Sequence, residues 1–279
     1  FIGKKSTKTF EIIMHIPSLS LFDRIKTGTV TAGLKYYSQI LFHIIKIKIS
    51  NSKKDSFYKS NENLDKQSII DNFHLLYESS HKQTYDNTYW MGVRSMKCPL
   101  DLWVYQEILF KTKPDIIIET GTNEGGTSLF LASICDMMDN GEIITIDISS
   151  PNNKPDHKRI HYIQGDATSE KTITKVKQLI DRFTNNSNKK IMVILDDEHS
   201  ANHVFQEMEI YGKFVTPENY LIVEDTSMGG HPVWPELEGG PMESVEKYMK
   251  THSDFEIDSS QEKFLLTFNP KGYLKKINS

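Results

Sequence analysis

Five short runs, the first of them rich in β-branched residues and each closed by polar or acidic ones, constrain this chain more than any other feature. They fall at residues 115–119, 143–147, 161–164, 191–195 and 220–223. Between them lie stretches with apolar residues at helical spacing, at 101–110, 127–138, 169–183 and 201–214. The first of these presents Leu102, Tyr105, Leu109 and Phe110 on one face and is stopped by Pro114. A run with no polar alternation is a strand buried on both faces. Strand followed by helix, repeated, predicts an α/β fold: a doubly wound, mostly parallel, Rossmann-like sheet. Such a sheet binds its ligands beyond the carboxyl ends of the strands. That is where Glu119, Asp147, Asp166, Asp196, Asp197, Glu224 and Asp225 fall.

Charge divides the chain. Residues 1–60 carry eleven Lys and Arg against Glu11, Asp23 and Asp55, a net of +8, while the other 219 residues sum to −12. The expected organisation is therefore a basic extension and linker over 1–65, followed by a globular domain over 66–279. The extension holds a run at 36–49 that is too short and too charged to span a bilayer. Two uses stand open for it: docking on a protein surface, its own or a second subunit's, and lying at a membrane interface. Residues 51–56 and 59–63 are polar and read as linker. An overall charge of −4 argues against nucleic acid as a partner. Two cysteines, Cys98 and Cys135, exclude a disulfide scaffold and a four-thiolate zinc site, and predict a cytoplasmic location with peripheral membrane contact left open.

After the first run the chain reads Glu119-Thr120-Gly121-Thr122-Asn123-Glu124-Gly125-Gly126. Gly121 permits a sharp turn, and Gly125 and Gly126 let a helix start approach a ligand without a Cβ in the way. The spacing is not the dinucleotide fingerprint. An acid immediately before the turn is wrong for a pyrophosphate and suits a cationic ligand such as S-adenosylmethionine, with its sulfonium and amino group. Asp147 then stands where ribose hydroxyls would be accepted, and Asp166 where an adenine would be closed over.

The pairs Asp196-Asp197 and Glu224-Asp225 end successive strand runs. Adjacent parallel strands are ~4.8 Å apart, so both pairs can converge on one hard cation such as Mg²⁺. A metal there would hold a hydroxyl facing a methyl donor. Three groups compete for the role of base: His199, His231 in the Gly- and Pro-rich loop after Asp225, and Asp197.

Several segments together resemble the cephalosporin hydroxylase and rhamnosyl O-methyltransferase family. They are Trp90-Met91-Gly92, Lys97-Cys98-Pro99-Leu100-Asp101-Leu102-Trp103, Tyr105-Gln106-Glu107, Ile118-Glu119-Thr120-Gly121-Thr122 with Gly125-Gly126, Leu195-Asp196-Asp197-Glu198-His199-Ser200, and Val223-Glu224-Asp225-Thr226 with Gly230-His231-Pro232. The resemblance spans roughly 66–279. It implies a class I methyltransferase fold, S-adenosylmethionine and Mg²⁺, and an acceptor hydroxyl on a sugar, glycan or glycosylated metabolite. It implies metal ligands at Asp197, Glu224 and Asp225, and cofactor contacts at Glu119, Gly121 and Asp147, to which Thr122, Gly125, Gly126 and Asp166 are added as the rest of the turn and its rim. An iron oxygenase fits poorly, because His252-Ser253-Asp254 has no later histidine to complete its ligand set. A zincin fits equally poorly: His199 and His203 have the spacing, but Ser200 stands where glutamate is needed. A metal-dependent glycosyltransferase using a nucleotide sugar, and a non-catalytic module working through the basic arm, are the alternatives from other classes.

Overall fold

The computed structural model describes residues 65–149, 154–183 and 188–277, together with Phe42, Lys46 and Lys48. The chain separates into two compact units, Phe1–Asp65 and Lys66–Ser279. In the first, Phe42, Lys46 and Lys48 are helical and exposed, and Asp65 is exposed outside any helix. The rest of the run at 36–49, and the linker stretches 51–56 and 59–63, lie outside the described residues.

The second unit begins with helix α1 (Lys66–Ser79) and a small antiparallel hairpin, β1 (Tyr89–Trp90) and β2 (Val93–Arg94). Helix α2 (Pro99–Thr112) follows, with Pro99 in its first turn, where a missing N–H is not missed. Strands and helices then follow in turn, with no helix among the described residues between β4 and β5: β3 (Ile116–Thr120), α3 (Gly126–Met138), β4 (Glu142–Asp147), β5 (Ile160–Gln164), α4 (Glu170–Phe183), β6 (Ile191–Leu195), α5 (Ala201–Tyr211) and β7 (Tyr220–Val223). The chain closes with α6 (Pro241–Tyr248), β8 (Phe255–Ile257) and β9 (Tyr273–Lys276). The five strands anticipated from the apolar runs are all present, within a residue at each end.

Seven strands form one sheet in the order β5-β4-β3-β6-β7-β9-β8. The first five are parallel, and β9 runs antiparallel to both β7 and β8. The apolar runs do not reveal this last pair: β8 is three residues long, and β9 ends on two lysines.

Alternation along each strand splits the core into two layers. Ile116, Ile118, Ile144, Ile146, Val193 and Leu195 pack under α4, α5 and α6, against Val176, Val204, Met208 and Val245. Ile117, Ile143, Met192, Ile194 and Ile222 face the other way, onto Tyr105, Ile108, Leu109, Phe130 and Leu131 of α2 and α3. Both faces being covered is why these strands read as unbroken apolar runs. The sequence of strands turns back on itself at β3, which has β4 on one side and β6 on the other. The connections leave β3 and β6 toward opposite faces, opening a crevice above their carboxyl ends.

Candidate active site

Glu119 lies near the end of β3 and is almost fully buried, at 1% exposure. Its Oε2 accepts a hydrogen bond from Thr145 Oγ1 at 2.6 Å and another from the Ser128 hydroxyl. Thr145 also pairs with Thr122 at 2.7 Å. Burial pushes the Glu119 carboxyl up to about 7, against the pull of the two hydroxyls. The carboxylate thus ties β3 to β4 and to the first turn of α3.

At Gly121 φ is +87°, and a Cβ would lie 1.8 Å from the carbonyl oxygen of Asp196. No other residue fits. A Cβ at Gly126 would lie 2.2 Å from the carbonyl oxygen of Arg94, and one at Gly125 2.8 Å from Pro155. The room that Gly125 and Gly126 leave, expected from sequence to serve a ligand, is filled here by the protein's own atoms.

Asp147, half-buried at the end of β4, accepts from Asn123 N at 2.8 Å and from Ser149 N at 2.7 Å. It thereby fixes the far side of the glycine turn. Asp166 is exposed, and its Oδ1 accepts from the backbone N and hydroxyl of Thr168. Those bonds hold its carboxyl below the ordinary range.

The second half of the crevice is built on β6 and β7. Asp196 extends the β6 ladder past Leu195, its N donating to Thr120 O at 3.1 Å. Its side chain meets that of Glu224, and the Lys97 ammonium donates to both. Lys97 arrives on a strap from the hairpin. Trp90 anchors that strap to α3, donating to Ser133 Oγ at 3.0 Å and meeting Phe130 edge-on at 4.9 Å. Burial alone would lower the Lys97 pKa, but Asp196, Glu224 and Asp225 hold it above the usual lysine value. Burial and Asp196 push Glu224 up. Its Oε1 is buried without a hydrogen-bond partner. Asp225, at φ +55°, sits with Oδ2 3.4 Å from His199 Nε2. Ligating atoms of Asp196, His199 and Asp225 all lie within 4.8 Å of one another. Three carboxylates therefore converge with one lysine among them, leaving negative charge and a bare buried oxygen.

Asp197 does not join this group. Consecutive residues of an extended chain point to opposite faces. Asp197 turns under α5, where His203 Nε2 is 3.2 Å from its Oδ1. Among the expected metal ligands, Glu224 and Asp225 come together, and Asp196 takes the third place assigned from sequence to Asp197. Nor is Asp197 placed to act as base on anything held there. His231 is also elsewhere: its Nε2 lies 2.8 Å from Glu243 Oε1, pinning its loop to the start of α6. His199 is the histidine beside the carboxylates. Lys97, at the head of Lys97-Cys98-Pro99, has no role readable from the sequence. A lone lysine before Cys98-Pro99 gives no periodic signal of burial.

The sheet order, with one reversed strand beside the far edge and an acid-led glycine turn at the centre, is that of the class I methyltransferase fold. Within that class the chain belongs to the Rhamnosyl O-methyltransferase/CmcI family, which it matches over residues 82–277. The Rhamnosyl O-methyltransferase of Mycobacterium leprae (strain TN) is 35% identical over 214 residues, covering 74% of this chain and 90% of that one. Its counterpart in Mycobacterium tuberculosis (strain H37Rv) is 34% identical over 208 residues, covering 71% and 83%. Among solved structures, apo CmcI-N160 superposes with a TM-score of 0.52 at 19% identity, over 70% of this chain and 78% of that one. The CmcI-D160 complex with Mg and SAM gives 0.51 at 20% identity, over 69% and 78%. Both share the fold.

Proposed function

We propose that this protein transfers a methyl group from S-adenosylmethionine to a hydroxyl of a sugar or glycosylated acceptor, assisted by Mg²⁺ held by Asp196, Glu224 and Asp225. One observation carries the reading: a Cβ at Gly121 would lie against the backbone of Asp196, so the glycine turn and the carboxylate cluster share one crevice. The relatives named above act on rhamnosyl groups by name, and CmcI-D160 holds Mg and SAM. Both fit the residues present. The cluster has oxygen donors for a hard dication, among them the bare Oε1 of Glu224. Asp147 borders the turn, where its carboxylate can accept from ribose, and Asp166 stands past the end of β5, where it can accept from adenine.

A bound dication would lower the pKa of a coordinated hydroxyl, and the sulfonium would supply an electrophilic methyl. The protein's part is placement and proton transfer. Glu119 stiffens the turn from within, and Asp147 and Asp166 orient the donor at its rim. Asp196 and Glu224 are held in place by Lys97, which offsets part of their charge. His199, the base in this scheme, takes the acceptor's proton at Nε2, beside Asp225. Alignment of two reacting groups in one crevice accounts for much of the rate such an enzyme needs. Two free cysteines, both buried, agree with a reducing compartment. Among the described residues no helix is long and apolar enough to cross a membrane.

The test is transfer of labelled methyl from S-adenosylmethionine to rhamnosyl glycosides, with and without chelator. Label should appear on the sugar and vanish when the metal is removed. Transfer that persists undiminished in chelator would overturn the metal assignment, and calorimetry showing no S-adenosylmethionine binding would overturn the whole reading.

A further inference from the structure

Asp197, displaced from the crevice, enters a second cluster that the proposed reaction does not use. It meets His203 and Glu207 on α5, and one ligating atom from each of the three lies within 4.8 Å of the other two. His203 Nε2 is 3.2 Å from Asp197 Oδ1 and 4.0 Å from Glu207 Oε2. Bonds of roughly 2.0–2.2 Å put two ligands of one ion at most about 4.4 Å apart. Both distances satisfy that limit.

Glu207 is the unusual member. It is 0% exposed, and neither of its carboxylate oxygens has a hydrogen-bond partner. A buried carboxyl with no hydrogen-bond donor is costly to ionise. Burial and the neighbouring Asp197 push its pKa well above the ordinary range. A cation between the two carboxylates removes that penalty. The far side of the imidazole completes the pattern: Nδ1 of His203 faces Glu198 Oε2 at 3.5 Å. Glu198 is itself fixed by Ser200, whose N and hydroxyl donate to it at 3.0 and 2.8 Å. A carboxylate on the second nitrogen is the arrangement that orients metal-bound histidines.

We propose that Asp197, His203 and Glu207 form a second metal site, for a transition-metal dication bound through one imidazole nitrogen and two carboxylates. It offers one imidazole and two carboxylates where the other cluster offers three carboxylates, Asp196, Glu224 and Asp225, with His199 beside them, and imidazole favours ions such as Zn²⁺ over Mg²⁺. The ion clamps the end of β6 to the first turns of α5. The loop between them carries Asp196 and His199, so the clamp sets the position of both from behind.

The full chain is stripped with chelator and titrated with Zn²⁺ while Mg²⁺ is held in excess. One Zn²⁺ equivalent is expected, retained in Asp196→Asn and weakened at least about 100-fold in Glu207→Gln and in His203→Ala. Co²⁺ in place of Zn²⁺ should give a visible absorption band that His203→Ala abolishes. Because either variant could fail to fold, wild-type crystals soaked in Zn²⁺ provide the independent check. An anomalous peak in bonding contact with His203 Nε2 and both carboxylates is expected. No peak there, or Zn²⁺ binding that survives both substitutions, overturns the second site and leaves a cluster that only shares protons. Loss of Mg²⁺ binding in Asp196→Asn bears on the methyl-transfer proposal alone.

Discussion

Two adjacent aspartates, Asp196 and Asp197, face different clusters because the chain is still extended as it leaves β6. The alternation that produces this was legible in the sequence. It required only that the register of the apolar run be carried one residue past Leu195. The histidines are a harder case. His199 and His231 both lie near acids in sequence, and only the fold shows that His231 is occupied by Glu243. His199→Ala should therefore lower kcat by about 10²–10⁴ with KM little changed, while His231→Ala should leave kcat within a few-fold; steady-state kinetics on both variants decide it. Glu119 gives a pH prediction. Its carboxyl rises from 4.5 to about 7 on folding, so the folded protein holds the proton more tightly than the unfolded chain. Stability contributed there is full below about pH 4.5 and is lost as pH rises to about 7. Glu119→Gln keeps an acceptor for Ser128 and Thr145 but cannot ionise. Relative to that variant, the wild type should lose up to about 3 kcal/mol between pH 5 and pH 8 in urea unfolding. A pH-independent difference would contradict the assignment.

At the scale of elements, the strands and helices that build the crevice were readable, because each buried strand is a short apolar run and each helix shows a stripe. The strap that delivers Lys97 was not. It is a hairpin of two-residue strands and a stretch without periodicity, held by Trp90 on α3 and by Arg94 against Gly126. The antiparallel strand β9 escaped for a related reason, since half its residues are lysines. What locks this end of the molecule is a buried acid. Asp101, on α2, accepts from Thr267 Oγ1 at 2.6 Å, Tyr273 OH at 2.9 Å and Phe268 N at 2.9 Å. Asp101→Ala would orphan three buried donors at once. A loss of about 3 kcal/mol or more is expected, read as a fall in Tm of about 6–12 °C. Gly121→Ala is expected to be worse, because its Cβ collides with the backbone of β6's extension and its φ is left-handed. It should fail to give a native far-UV spectrum.

On the scale of the whole molecule, a sheet covered on both faces leaves its carboxyl edge as the place where acids can gather without disrupting a core. The sequence placed seven acidic residues there, and the fold sorts them into distinct jobs. Glu119 and Asp147 hold the turn at β3, and Asp166 stands past the end of β5. Asp196, Glu224 and Asp225 converge around Lys97, and Asp197 lies behind them. That sorting depends on which neighbours β3 and β6 have in the sheet, a long-range fact that no local pattern encodes. The most direct measurement is calorimetric titration of Mg²⁺ into protein loaded with S-adenosylhomocysteine, comparing Asp196→Asn with Asp197→Asn. Asp196→Asn should lose at least about 100-fold in Mg²⁺ affinity while Asp197→Asn stays within a few-fold of wild type. The reverse order would place the metal on the other side of β6 and contradict the site described.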